Sequence, residues 1–137
     1  MSNTSQRIID TVSSWDGIKP QPHRFGGTEF MFGGVEIGHV HDWGLVDIPF
    51  TRRTREALVA DGEADLHHIL PESGWISFWL RGDQDVAQAI RLFRLSYAIK
   101  RARRRHVPLD LDGLHFSAAV MNSIAQDAAS ADAPEGE

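Results

Sequence analysis

Apolar and polar residues alternate along 28–32 and 35–41, with Gly33-Gly34 between the two runs. A period of two marks half-buried strands, and a two-glycine turn, which accepts positive φ, joins such strands into an antiparallel hairpin. In the simplest register Phe32 opposes Val35, Phe30 opposes Ile37 and Thr28 opposes His39. One apolar face then begins at Phe32 and ends in His39 and His41, roughly 6.6 Å apart along the strand. Met31, Glu29, Glu36 and Val40 fall on the other face. Glu36 is separated from the histidines there unless Gly38 forms a bulge that re-aims the chain by one residue.

Asp42-Trp43-Gly44 reads as a turn and 45–50 as a third strand, for which two registers compete. A three-residue loop sets Asp47 opposite His39 as a carboxylate–imidazole pair. A four-residue loop sets Ile48 opposite His39 and turns Val46, Ile48 and Phe50 to the core. Three buried apolar side chains at roughly 1.5–3 kcal/mol each outweigh one exposed ion pair at about 0–1, so the second register is favoured and Asp47 faces elsewhere.

Ile8, Ile9, Val12 and Trp15 have helical spacing over 5–15, and Pro20 and Pro22 then end regular structure. Thr51 as N-cap and Gly62 just past the end bracket a helix with Leu58 inward. His67-His68 follows in 65–70. Over 75–80 a strand puts Ile76, Phe78 and Leu80 on one face and Trp75, Ser77 and Trp79 on the other. Asp83 caps the longest helix, 84–104, whose buried stripe is Val86, Ala89, Ile90, Phe93 and Tyr97. Its basic end complements the helix dipole. A last helix spans 113–128, and 129–137 is expected to be a disordered acidic tail. The pattern predicts a single α+β domain over 1–128, a small, mainly antiparallel sheet covered by helices.

Composition narrows the function. The chain has 137 residues, 42% hydrophobic and 24% charged, as in soluble globular proteins, and no apolar run of membrane-spanning length. Its start lacks a secretory pattern and it has no cysteine, so a cytoplasmic setting without disulfides or thiolate ligands is expected. A net charge of −5 argues against nucleic acid as a partner. Seven histidines are the unusual feature.

Gly26-Gly-Thr-Glu-Phe30, Glu36-Ile-Gly-His-Val-His41, Gly44-Leu-Val-Asp-Ile-Pro-Phe50, Arg53 ahead of a helix, His67-His-Ile-Leu-Pro71, Ser73-Gly-Trp75 and Ser96-Tyr97 together resemble the luciferase-domain family. These are small bacterial proteins sharing a signature with fungal luciferases, and the likeness runs from about His23 to Lys100. The fungal relatives oxidise a hydroxylated pyrone with molecular oxygen, without flavin or nicotinamide. The resemblance therefore implies an oxidoreductase of monooxygenase type, oxygen as co-substrate, and Glu36, His39, His41 and His68 as the residues carrying the chemistry. Asp47 falls at a strand position that is polar in the fungal pattern too.

Two histidines on one strand face can chelate a divalent metal, with His68 as third ligand and an open position. The favoured reading is metal-free, with an imidazole taking a proton from an enol or phenol and leaving an anion that reacts with oxygen. Trp75 and Trp79 are candidates for stacking on an aromatic small molecule, and Arg53, unfavourable in a first helical turn, for holding an anion. The alternative is a non-catalytic module that binds a ligand or a protein through the aromatic sheet face, and a homodimer through that face is a third reading.

Overall fold

The computed structural model describes residues 3–130. Ten elements follow one another: α1 (Asn3–Ser13), β1 (Ile18–Pro22), β2 (Thr28–Phe32), β3 (Val35–Val40), β4 (Leu45–Pro49), α2 (Arg52–Ala60), β5 (Asp65–Leu66), β6 (Trp75–Trp79), α3 (Gln84–Arg105) and α4 (Ala118–Ala129). The strands make one sheet, ordered β1-β2-β3-β4-β6-β5 and antiparallel at every junction. The α+β architecture read from the sequence is the one observed. Of the tail expected at 129–137, Ala129 ends α4 and residues 131–137 lie outside the described residues.

Helix α3 crosses one face of the sheet against β2, β3 and β4, with α1 beside it. Phe30, Phe32, Ile37, Val40, Val46, Ile48 and Ile76 from the strands meet Ala89, Leu92, Phe93 and Tyr97 from α3, all within one buried cluster. Ser96 Oγ donates to the carbonyl of Ile37 at 2.8 Å and ties the helix to β3. At the other end α2 packs on β5, β6 and α4. Thr51 caps α2 through Thr54 N, Asp61 ends it with Gly62 following, and Leu58 is fully buried, as the sequence indicates. Asp83 occupies the N-cap position of α3 without a capping hydrogen bond; Asp85 accepts instead from the backbone of Arg81.

Two expectations are corrected. Pro20 and Pro22 do not end regular structure but lie within β1, paired with Phe30 and Thr28. This is tolerable because β1 is an edge strand, where a missing amide on the outer side breaks no ladder bond. The hairpin register also differs. Phe32 pairs with Val35 and Met31 with Glu36, but Phe30 pairs with Gly38, so Ile37 is an extra residue in β3. This bulge inverts the facing of everything after it. Val40 turns into the core, and His39 joins Glu36, Glu29 and Met31 on the opposite face instead of extending the face of Phe30 and Phe32.

Glycine at 38 permits the bulge, because its φ is +154° and a Cβ there would stand 2.7 Å from Phe93 Cε1 and 3.0 Å from the Asp47 carbonyl oxygen. Gly38→Ala is expected to destabilise the fold by about 2 kcal/mol, within the usual range for overpacking. The urea midpoint should fall with little change in slope. Gly34→Ala, where a Cβ meets nothing within 4 Å, is the control and should stay within about 0.5 kcal/mol of wild type.

Candidate functional site

The third-strand register is the three-residue-loop alternative. His39 pairs with Asp47 and Val40 with Val46, which overturns the register favoured on hydrophobic grounds. The choice posed there, between apolar burial and a carboxylate–imidazole pair, is removed by the bulge. Since His39 is already on the far face, β4 can bury Val46 and Ile48 under α3 while Asp47, between them, points the other way to His39. Across β4 lies Ser77 of β6, and across Ser77 lies Asp65 of β5.

Asp47, only 1% exposed, is the centre of the face turned away from α3. Its Oδ2 lies 2.9 Å from His41 Nε2, 3.2 Å from His39 Nε2 and 3.3 Å from His68 Nε2. Oδ1 accepts from Ser77 Oγ at 2.7 Å and stands 3.5 Å from His67 Nε2. Four imidazoles thus converge on one buried carboxylate. Outside them, His39 Nδ1 donates to Glu36 Oε2 at 2.6 Å. His67 is oriented by its own loop: its Nδ1 accepts from the amides of Ile69 and Leu70, which leaves the proton on Nε2, facing Asp47. The amide of His68 donates to Ser77 Oγ, so the hydroxyl that holds Asp47 also anchors the histidine loop.

Aromatic rings border the cluster. His23 stacks on His39 with centroids 4.0 Å apart, and Trp43 stacks on His41 at 4.9 Å. Trp75 lies 5.4 Å from His39 and 5.9 Å from His67. Trp79 reaches the cluster only through Trp43, 5.7 Å away, and these two are 37% and 59% exposed. Of the residues singled out from sequence, Glu36, His39, His41, Asp47, His68 and Trp75 come together. Arg53 does not: it pairs with Asp127 of α4 at 2.9 Å, beside a groove of about 310 Å³ between α2 and α4 that none of the histidines lines. His23, His67, Trp43 and Ser77 were missed as site residues. His67 had a sequence signal in its adjacency to His68, and Ser77 in its place between two tryptophans of one strand face.

The charges are strongly coupled. Burial pushes the Asp47 carboxyl up, but hydrogen bonds from His39, Ser77 and His41 prevail and hold it well below the usual carboxylate range. Burial likewise opposes the charge on His39, yet its bonds to Asp47 and Glu36 raise it to about 9. His23 and His67 are held below the ordinary imidazole value, first by burial; for His23 the charge of His39 adds, and for His67 those of His68 and His39 do so against the pull of Asp47. Two overlapping donor sets, His39–His41–Asp47 and Asp47–His67–His68, have ligand atoms within 4.8 Å of one another, a spacing compatible with a metal ion.

A folded-state value of about 9 against 6.5 unfolded makes the His39 contribution fully present below pH 6.5 and lost as pH rises through 9. Lys100, which burial lowers to about 7, titrates in the same window with the opposite sign: its penalty is complete below pH 7 and relieved toward 10.5. The His39 term is therefore isolated by difference. In chelator-treated protein, the stability gap between wild type and His39→Gln should be on the order of 3 kcal/mol at pH 6 and shrink markedly by pH 9.5. A gap that does not change with pH would refute the assignment.

Residues 34–96 match the family model of the Luciferase domain. The match is narrower than the motif likeness, leaving out His23 and Gly26–Phe30, but it includes Glu36, His39, His41, Asp47, His67, His68, Trp75 and Trp79. No curated protein and no solved structure matches the chain. No helix among the described residues is long and apolar enough to cross a membrane. Over residues 34–96, which carry every histidine beside Asp47, the chain is similar to the luciferase-domain family.

Proposed function

We propose that the cluster is the active site of a small-molecule enzyme whose substrate is a planar aromatic or enolic compound, and that its chemistry is oxidation by molecular oxygen. One observation carries this reading: the imidazoles of His39, His41, His67 and His68 surround one buried carboxylate, and Trp43 and Trp75 stand at their edge. A folded core needs no such concentration of polar groups, and each one buried costs stability unless it is paired. The aromatic edge suits a flat ligand, whose ring stacks on an indole while its hydroxyl reaches an imidazole nitrogen. An imidazole that takes the hydroxyl proton leaves an electron-rich anion, which is the species that reacts with oxygen. The family supports the oxidative part of this reading, and the geometry supports the binding and proton-transfer part.

A second reading is favoured by the exposure of Trp43 and Trp79 together with Ile69 and Leu70. Here the face holds a ligand or a protein without turnover. The two readings part on oxygen uptake.

A panel of hydroxylated pyrones, flavonols and simple phenols, followed by tryptophan quenching and thermal shift, is expected to yield at least one binder. Trp43→Ala should weaken it about tenfold, the equivalent of roughly 1.4 kcal/mol and within the usual worth of an aromatic pair. Oxygen consumption with that binder, lost in His41→Gln, supports the enzyme. Binding without consumption supports the module. If no planar compound binds, the proposed substrate class is wrong.

A further inference from the structure

We infer that the chain binds one divalent first-row transition metal ion, of the zinc or iron(II) class, through Asp47, His39 and His41, three buried donors whose ligand atoms all lie within 4.8 Å of one another. Ligand atoms about 2.0–2.1 Å from a metal stand roughly 2.9–3.4 Å apart in tetrahedral or octahedral arrangements. His41 Nε2 and His39 Nε2 lie 2.9 and 3.2 Å from the same oxygen of Asp47, each the length of one edge of such a polyhedron. Both approach through Nε2, so their lone pairs can share one centre if a proton is given up by each.

The surroundings agree with this. A metal-bound histidine commonly donates its other nitrogen to a carboxylate, and His39 Nδ1 donates to Glu36 at 2.6 Å. A metal-bound carboxylate is usually hydrogen-bonded at its second oxygen, and Asp47 Oδ1 accepts from Ser77 at 2.7 Å. Bulge and register serve the same end, because Glu36, His39 and Asp47 share a face only with Ile37 looped out. Two nitrogens and one oxygen select zinc, iron, cobalt or nickel over magnesium and calcium, which prefer oxygen. His67 and His68, which form a second group with Asp47, stay outside the proposed set. The inference concerns the same place as the proposed active site but does not rest on that reading.

The test uses the full chain, stripped with chelator and titrated with Co(II) and Zn(II). The expected result is one equivalent of Co(II) with visible ligand-field absorption, displaced by Zn(II), and a melting temperature that rises on loading. His41→Gln should abolish stoichiometric uptake, and Glu36→Gln should weaken it about 10–100-fold while leaving the stoichiometry at one. Glu36→Gln, at a side chain already 24% exposed, keeps the test open if the buried variant fails to fold, and His68→Gln should leave the stoichiometry at one. Folded wild type that takes up no ion overturns the inference, as does uptake unchanged in both His41→Gln and Glu36→Gln. Aromatic binding that is equal in stripped and titrated protein, with no ion taken up, would leave the proposed function standing and remove the metal alone.

Discussion

A carboxylate taken out of water carries a penalty of several kcal/mol, and at Asp47 that penalty is met by five polar partners rather than by solvent. Much of the sheet is arranged around this compensation. β3 supplies the imidazole of His39, the turn just after it that of His41, β6 the hydroxyl, and the loop before β6 two further imidazoles, while β4 holds the carboxylate between Val46 and Ile48 of the core. The same pleat that puts two apolar side chains under α3 presents the charge to the far face. Core packing and site assembly are therefore one constraint, since a slip of one residue in β4 would expose Val46 and Ile48 and bury Asp47 against Phe93.

Much of the scaffold was legible because it is written in local chemistry. Gly33-Gly34 announces the first hairpin, Thr51 and Gly62 bracket α2, and the stripe through Val86, Ala89, Phe93 and Tyr97 turns α3 toward the sheet. These signals act over a few residues and need no knowledge of the partner. The bulge is of another kind. Ile37 is as apolar as any strand residue, and nothing in its neighbours says that it is unpaired; only Gly38, which alone fits beneath Phe93, hints at it. Without the bulge, the choice between apolar burial and the Asp47–His39 pair looked forced, and the larger energy was preferred. With it, both are satisfied.

The composition of the site was half legible for a similar reason. His39 lies in β3 and His41 just past its end, so a spacing of two residues brings them together. His23 and His67 come from the ends of short loops, whose paths depend on turns such as the pair of amides donated to His67 Nδ1. Arg53 was singled out because a cation in a first helical turn opposes the dipole, but Asp127 of α4 neutralises it in a contact 74 residues distant in sequence.

The outer edge of β1 presents no open amide. Ile18, Pro20 and Pro22 are the positions facing away from β2: the two prolines have no N–H, and that of Ile18 is already donated to Trp15 at 3.1 Å. This border therefore offers carbonyls alone to anything approaching it. A foreign strand needs both donors and acceptors to zip on, so this margin is closed to lengthening of the sheet and to amyloid-like templating.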